Sequence, residues 1–443
     1  MATGIEGLTQ IPELKRRLLW TIGLLGVYRL GVQVPTPGID ASALSQQFQA
    51  AQNTLFGVFN LFAGGALERF SIFALGIMPY ISASIILQLL TVVVPHLEQL
   101  SKEGELGRRK ITQYTRYFTI VLSIIQGFFI SSGLEGLTNP QVVLNPGLNF
   151  KIMSVITLTS GTAFIMWLGE QITERGVGNG ISLIIAAGIA AGIPGGAISL
   201  YSMMTTHGGA VTPVMGVLLV LFMIAVVGAI IFMERGQRRI PIQYAKRIIG
   251  RKMYGGQSTH LPLRINPSGV IPPIFASSLL LFPSTIASAV NAFGQTPGAG
   301  ATWFQKIQAF FAPGGLLYST LFVVLIVFFT FFYTEIVFKP DDVSENLKKN
   351  GGYIPGIRPG QHTAEYLQTV ISRLTMIGAI YLSVICILPM FLQTQNIPFY
   401  FGGTSLLILV GVALDTVAQI ESHLLARNYE GFIKSARLRG RRG

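Results

Sequence analysis

The sequence predicts an all-α, polytopic membrane protein, and three observations predict it. Half of the 443 residues are hydrophobic and only 12% are charged, against about 25% charged residues in soluble domains. Mean hydropathy is positive, at +0.56. Mainly apolar runs of about 20 residues, the length that crosses a bilayer, recur along the whole chain.

Ten such runs fall at about 18–35, 72–94, 115–133, 152–172, 180–201, 213–233, 268–290, 316–338, 371–393 and 402–424. The first follows basic residues but lacks a small-residue cleavage pattern, so it reads as a span and not as a removed signal peptide. Arg29 interrupts it, and snorkelling of the guanidinium to an interface is the simplest account. Cys386, the single cysteine, lies inside an apolar run and says little about redox compartment.

Orientation follows from the basic residues between spans. Of 32 Lys and Arg, Arg69, Lys151 and Lys306 fall in connections on one side and Arg29 inside span one, so 32 − 4 = 28 lie on the opposite side or at its helix ends. Both termini are therefore expected to be cytoplasmic. Asp40, Glu68 and Glu135 cancel the three outer cations, which leaves almost all of the net +13 on the cytoplasmic face.

Two connections on that face are long, 234–267 and 339–370. The first alternates on either side of "YGGQS", which suggests a hairpin presenting Arg235, Arg238, Arg239, Lys246, Arg247, Arg251 and Lys252. The second ends in "YIPGIRPGQHTAEY", where prolines and glycines are expected to fix a turn around Arg358. Such loops can simply enforce topology; their length and rigidity favour a docking surface for something anionic or large.

Ten spans divide into two sets of five, residues 1–201 and 202–443. An odd number per set reverses the second set across the bilayer, as in an inverted repeat with a central pathway. Ion or proton transport would require charged residues mid-span, and these are scarce: Asp415 and Glu335 lie near helix ends. The five histidines contain no HExxH pair. Glycines in "ERGVGNGISLII" do not match GxGxxG and read as a helix break between spans four and five. The segment "LFGVFNLFAGGALERF", residues 55–70, is apolar, too short to cross and closed by Gly64 and Gly65. It can lie flat at the interface or fold back into a cavity, and composition leaves both open.

"FALGIMPYISASIILQLL" at 73–90 and "MWLGEQITERGVGNGISLII" at 166–185 resemble signature stretches of the SecY family of protein-conducting channels. "EGELGRRKITQYTRY", "AKRIIGRKMYGGQSTHLPL", "GIRPG" and "PFYFGGTSLLI" extend the resemblance over nearly the whole chain, in order. It implies a non-enzymatic hourglass channel without a cofactor, in the inner membrane of a bacterium, whose two halves open sideways to lipid between spans two and seven. Ile77, Ile81, Ile181, Ile185, Ile274 and Ile408 then match the constricting ring. The i, i+4 spacing within each helix pair suits one face, and stiff apolar side chains exclude ions by dewetting. Ile85, one turn further, is expected to pack instead. The 55–70 segment, with Phe56, Phe59, Asn60, Phe62, Gly64 and Gly65, resembles the plug. Gln88, Thr91, Gln126, Ser277 and Ser278 resemble the polar seam of the lateral gate. Pro273 departs from the family pattern and puts the aim of Ile274 in doubt. Implied partners are SecE, SecG, the motor ATPase SecA, the ribosome, secretory and membrane polypeptides, and membrane lipids. A secondary transporter of small solutes and a membrane scaffold are the rival classes.

Overall fold

The computed structural model describes residues 12–40, 42–45, 60, 63–135, 142–205, 212–244, 247–249, 252–254, 258–280, 315–394 and 403–439. Helix α1 (Pro12–Val32) opens on a proline, where a missing N–H costs nothing, with a Glu13–Arg17 pair one turn on. The run expected at 72–94 is helical only from Met78: residues 72–77 form turns, and Pro79 sits in the first turn of α2 (Met78–Val93). Pro95 then ends α2, because the residue before a proline disfavours helical geometry. Val94 is extended (φ −97°, ψ 113°), and α3 (Pro95–Lys102) leaves at 98° to α2.

Helix α4 (Glu105–Glu135) begins ten residues before its apolar run. The added stretch is rich in helix formers and carries a Glu105–Arg109 ion pair at 2.8 Å. Then come α5 (Leu148–Arg175), α6 (Gly180–Thr205) and α7 (Pro213–Arg235), the last capped by the Thr212 hydroxyl.

Strand β1 (Gln237–Tyr244) leads to β2 (Arg247–Ile249), β3 (Lys252–Tyr254) and β4 (Ser258–Arg264). The hairpin expected in this loop is present, with its midpoint displaced from "YGGQS". Gln237 faces Arg264, Arg247 faces Tyr254 and Ile249 faces Lys252. The paired numbers always add to 501, so both ladders share one register centred between residues 250 and 251. Isoleucines 248 and 249, β-branched, extend the pairing past the glycine pair that looked like the turn.

The remaining elements are α8 (Ile271–Leu280), α9 (Leu316–Val337), α10 (Pro340–Lys349), β5 (Gly352–Tyr353), α11 (Gln361–Thr394) and α12 (Gly403–Arg439). Among the described residues, seven helices are long and apolar enough to cross a membrane, or eight if the bent pair α2–α3 is one span. The other two expected spans correspond to charge-bearing α1 and to α8, of which ten residues are described. The chain is a multi-pass membrane protein, consistent with ten spans.

Two compact units make up the chain. The first takes Met1–Leu200, Ser278–Gly315 and Ile408–Gly443; the second takes Tyr201–Ser277 and Leu316–Leu407. Within the first, α5 packs on α1 and α4, and α4 on α2. Phe73 stacks between Tyr28 and Phe164, each at 6.0 Å. The break between α5 and α6 is closed by three side chains: Thr21 Oγ1 accepts from Val177 N, Thr173 Oγ1 from Gly180 N, and Gln419 Oε1 from Gly178 N. Within the second unit, α9 and α10 pack on α11, and Phe275 of α8 meets Phe329 of α9 edge-on at 5.7 Å.

Candidate functional site

Ile77, Ile81 and Ile85 form the expected row, and all three are buried, at 3, 6 and 4% exposure. Ile77 is the residue that caps α2, and its carbonyl accepts from Ile81 N at 3.1 Å. On α6, Asn179 accepts from Ile181 N and Ser182 N and so fixes the helix start. Ile185 is buried, whereas Ile181 is half-buried and lies against Gly169 of α5. Ile408 on α12 is fully buried. These six residues belong to the first unit and Ile274 to the second.

Ile274 follows Pro272 and Pro273, both in the first turn of α8, where N–H groups have no intrahelical acceptor. The helix therefore absorbs the second proline without a break. The entry to α8 is held by a polar cluster. Asn266, buried, donates to Glu234 Oε1 at 2.8 Å and to the Gly269 carbonyl at 2.9 Å, and Ser268 donates back to Asn266 Oδ1. The only signal in the sequence is the turn-forming "NPSG" at 266–269; its glutamate partner lies 32 residues earlier, at the end of α7.

Phe56, Phe59 and Phe62 lie outside the described residues. Leu55, Gly57, Val58 and Leu61 lie outside them too, and the described part of the 55–70 segment, residues 60 and 63–70, is held by tight turns: Gly65 N donates to the Asn60 carbonyl at 2.9 Å, and Asn60 Oδ1 accepts from Glu68 N at 3.0 Å. Gly64 has φ +66° and backs onto Gly188 of α6, where an added Cβ would lie 2.8 Å from the Gly188 Cα. Arg29 does not simply reach for an interface: its Nη1 donates to the Gly64 carbonyl at 3.1 Å.

Of the polar seam, Thr91 and Ser277 hydroxyls bond to carbonyls of their own helices, at Gln88 and Ile274. Gln88 Nε2 lies 3.5 Å from Ser84 Oγ. Among the described residues, Gln88 Oε1 and Gln126 Oε1 are buried without a bonding partner, and Ser278 is buried. Buried amide oxygens in that condition forgo a hydrogen bond that most buried polar groups make.

Arg235, Arg238 and Arg239 are exposed at the root of the hairpin. Arg247 and Lys252 occupy paired strands, while Lys246 and Arg251 lie outside the described residues. Arg358 is exposed in a loop whose shape is built by Ile354-Pro355-Gly356-Ile357. Ile357 N donates to the Ile354 carbonyl, and Gly356 has φ +84°, which are the requirements of a type II turn with proline second and glycine third. Thr363 of α11 donates to the Arg358 carbonyl at 2.9 Å. The two long loops are not separate. β5 pairs with β1 (Gln243 facing Tyr353), and Ile240, Leu263 and Ile354 share a buried cluster with Leu367, Val370, Ile371 and Leu374 of α11. The two-residue β5 is too short to show a period-2 pattern, which hid this link from sequence.

The family model described as SecY matches residues 71–417. "Protein translocase subunit SecY" of Escherichia coli K12 is 52% identical over 432 residues, 97% of this chain and 96% of that protein. Two solved structures share the fold at low identity. One, "The plug domain of the SecY protein stablizes the closed state of the translocation channel and maintains a membrane seal", matches with TM-score 0.65 at 19% identity, over 95% of this chain and 96% of that one. The other, "Sec61 in the Canine ribosome-channel complex from the endoplasmic reticulum", matches with TM-score 0.63 at 18% identity over the same shares. With over half of its length matched by the family model and half of its residues shared with a curated member, the chain belongs to the SecY family.

Proposed function

We propose that the chain is the pore-forming subunit of a protein translocase, a channel and not an enzyme, which passes unfolded polypeptides across the membrane and releases apolar segments sideways into lipid. Near-full-length identity to a translocase subunit carries this reading. In it, the two five-helix halves, 1–201 and 202–443, flank an hourglass pore ringed by Ile77, Ile81, Ile181, Ile185, Ile274 and Ile408. Such a ring slides along any sequence without specific bonds and seals by dewetting when empty. Residues 55–70 form the plug, which agrees with a neighbouring structure whose description assigns a membrane seal to that domain. Gln88, Thr91, Gln126, Ser277 and Ser278 form the gate seam. Weak bonds of about 0.6–2 kcal/mol suit reversible parting, and the unpartnered amide oxygens of Gln88 and Gln126 fit a seam that re-pairs as it moves.

The membrane is the bacterial inner membrane, with both termini cytoplasmic. The basic hairpin and Arg358 dock SecA and the ribosome, the latter supported by a structural neighbour solved in a ribosome-channel complex. SecE and SecG complete the channel. The deciding experiment crosslinks a stalled secretory chain to photoprobes at Ile81 and Ile185 in proteoliposomes. Contact at either position is expected, and absence of contact at both in a translocating preparation removes the channel reading.

A further inference from the structure

The lone charge inside the first span has a partner 35 residues away. Arg29 Nη1 donates to the Gly64 carbonyl at 3.1 Å, and the neighbouring Tyr28 hydroxyl donates to the Ala63 carbonyl at 3.3 Å. Two consecutive side chains of α1 thus hold two consecutive carbonyls of one turn. Tyr28 is 1% exposed and stacked on Phe73, so its hydroxyl has little freedom to point elsewhere. Gly64 and Gly65, at φ +66° and +83°, bend the backbone, and Ala63 and Ala66 are fully buried. On its other side the turn is closed by Asn60, whose carbonyl accepts from Gly65 N and whose side chain meets Glu68.

We propose that Arg29 is a latch. Its guanidinium, with the Tyr28 hydroxyl beside it, pins the Ala63–Gly64 turn to the first span and thereby holds the root of the 55–70 segment in the sealed channel. The inference rests on the reading of that segment as the plug. A charge inside a span is costly unless polar groups satisfy it, and a carbonyl away from water has few other donors. Each group therefore stabilises the other only while the turn is seated, and displacement of the segment leaves both exposed to whatever replaces them. Arginine suits the task better than a compact ammonium, since a planar fork keeps one N–H on the carbonyl while the others remain free for solvent or lipid.

The test is ion conductance across planar bilayers of the full chain, reconstituted with its copurifying subunits. Arg29→Gln, Arg29→Lys, Tyr28→Phe and a deletion of 57–67 are compared with the parent. Loss of a charge-assisted bond should raise the leaking fraction by about tenfold. Arg29→Gln should approach the leak of the deletion, Tyr28→Phe should leak less than Arg29→Gln, and Arg29→Lys should restore most of the seal. A sealed Arg29→Gln channel beside a leaking deletion would overturn the latch and leave the plug standing. A sealed deletion would remove the plug reading, and the latch with it. Equal leak in Arg29→Gln and Arg29→Lys, with equally lowered unfolding temperatures in detergent, would reduce Arg29 to a packing residue and also overturn the proposal.

Discussion

Gly64 must lack a side chain for two separate reasons. Its φ of +66° is unfavourable for L-residues, and a Cβ would approach the Gly188 Cα at 2.8 Å, where backbone cannot yield as a side chain would. Gly65 shares only the first reason: φ is +83°, and no atom of the other described residues lies within 4 Å of an added Cβ. Gly65→Ala should therefore cost about 1–2 kcal/mol, and Gly64→Ala more, read as a larger drop in the unfolding midpoint in detergent; equal drops would mean that α6 moves aside freely. In the proposed ring, Ile81→Gly with Ile185→Gly should raise resting conductance, because the proposal makes these two stiff side chains part of the seal against ions; unchanged conductance would take both residues out of the ring. Spacing alone made the row of Ile77, Ile81 and Ile85 legible, since period 3.6 is written in the sequence. The partner of Arg29 was not legible, because a backbone carbonyl brought close by a glycine turn has no letter of its own.

Among the elements, the apolar runs located the spans because bilayer thickness sets their length. Their ends were set by signals that hydropathy ignores, as in α2, which Pro79 opens and Pro95 closes. The hairpin shows the opposite failure. A glycine pair attracted the turn assignment, while the register, with Ile249 facing Lys252, places the midpoint five residues earlier. The join between the two basic loops was invisible because it is made by β5, two residues long, and by a cluster that draws on β1, β4 and α11. That cluster makes a prediction. Leu367 is its most deeply buried member, at 0% exposure, and Leu367→Ala should cost about 2–5 kcal/mol locally. Because the strands and the helix share one core, the effect should appear at a distance, as faster tryptic cleavage at Arg238 and Arg239 in β1. Unchanged cleavage there would mean that the hairpin stands without α11.

Across the whole molecule, charge separates from apolar mass: a net formal charge of +13 on a chain that is half hydrophobic, with exposed Arg238, Arg239 and Arg358 carried by one strand-and-helix platform and exposed Arg235 at the end of α7, just before β1. An anionic partner would meet two kinds of cation there. Hairpin charges act over distance and are screened beyond a Debye length of about 8 Å at physiological salt, so they should speed encounter more than they hold the complex. Arg358 is different. A type II turn lies before it, and Thr363 holds its carbonyl from the start of α11; the guanidinium therefore starts from a restrained backbone, and its fork matches a carboxylate or phosphate. On the proposed docking of SecA at this face, Arg238→Ser with Arg239→Ser should weaken SecA-driven transport into reconstituted vesicles at low salt and matter little at high salt. Arg358→Glu should cut transport by about tenfold or more at both, since it removes a placed donor and installs a repelling charge. Resting conductance of the Arg358→Glu channel should stay at the parent level, because the substitution lies on the platform and leaves the proposed ring and plug residues untouched. Normal transport by that variant would show that Arg358 serves only to orient the chain in the membrane, and a leaking variant would show that the platform and the seal are not independent.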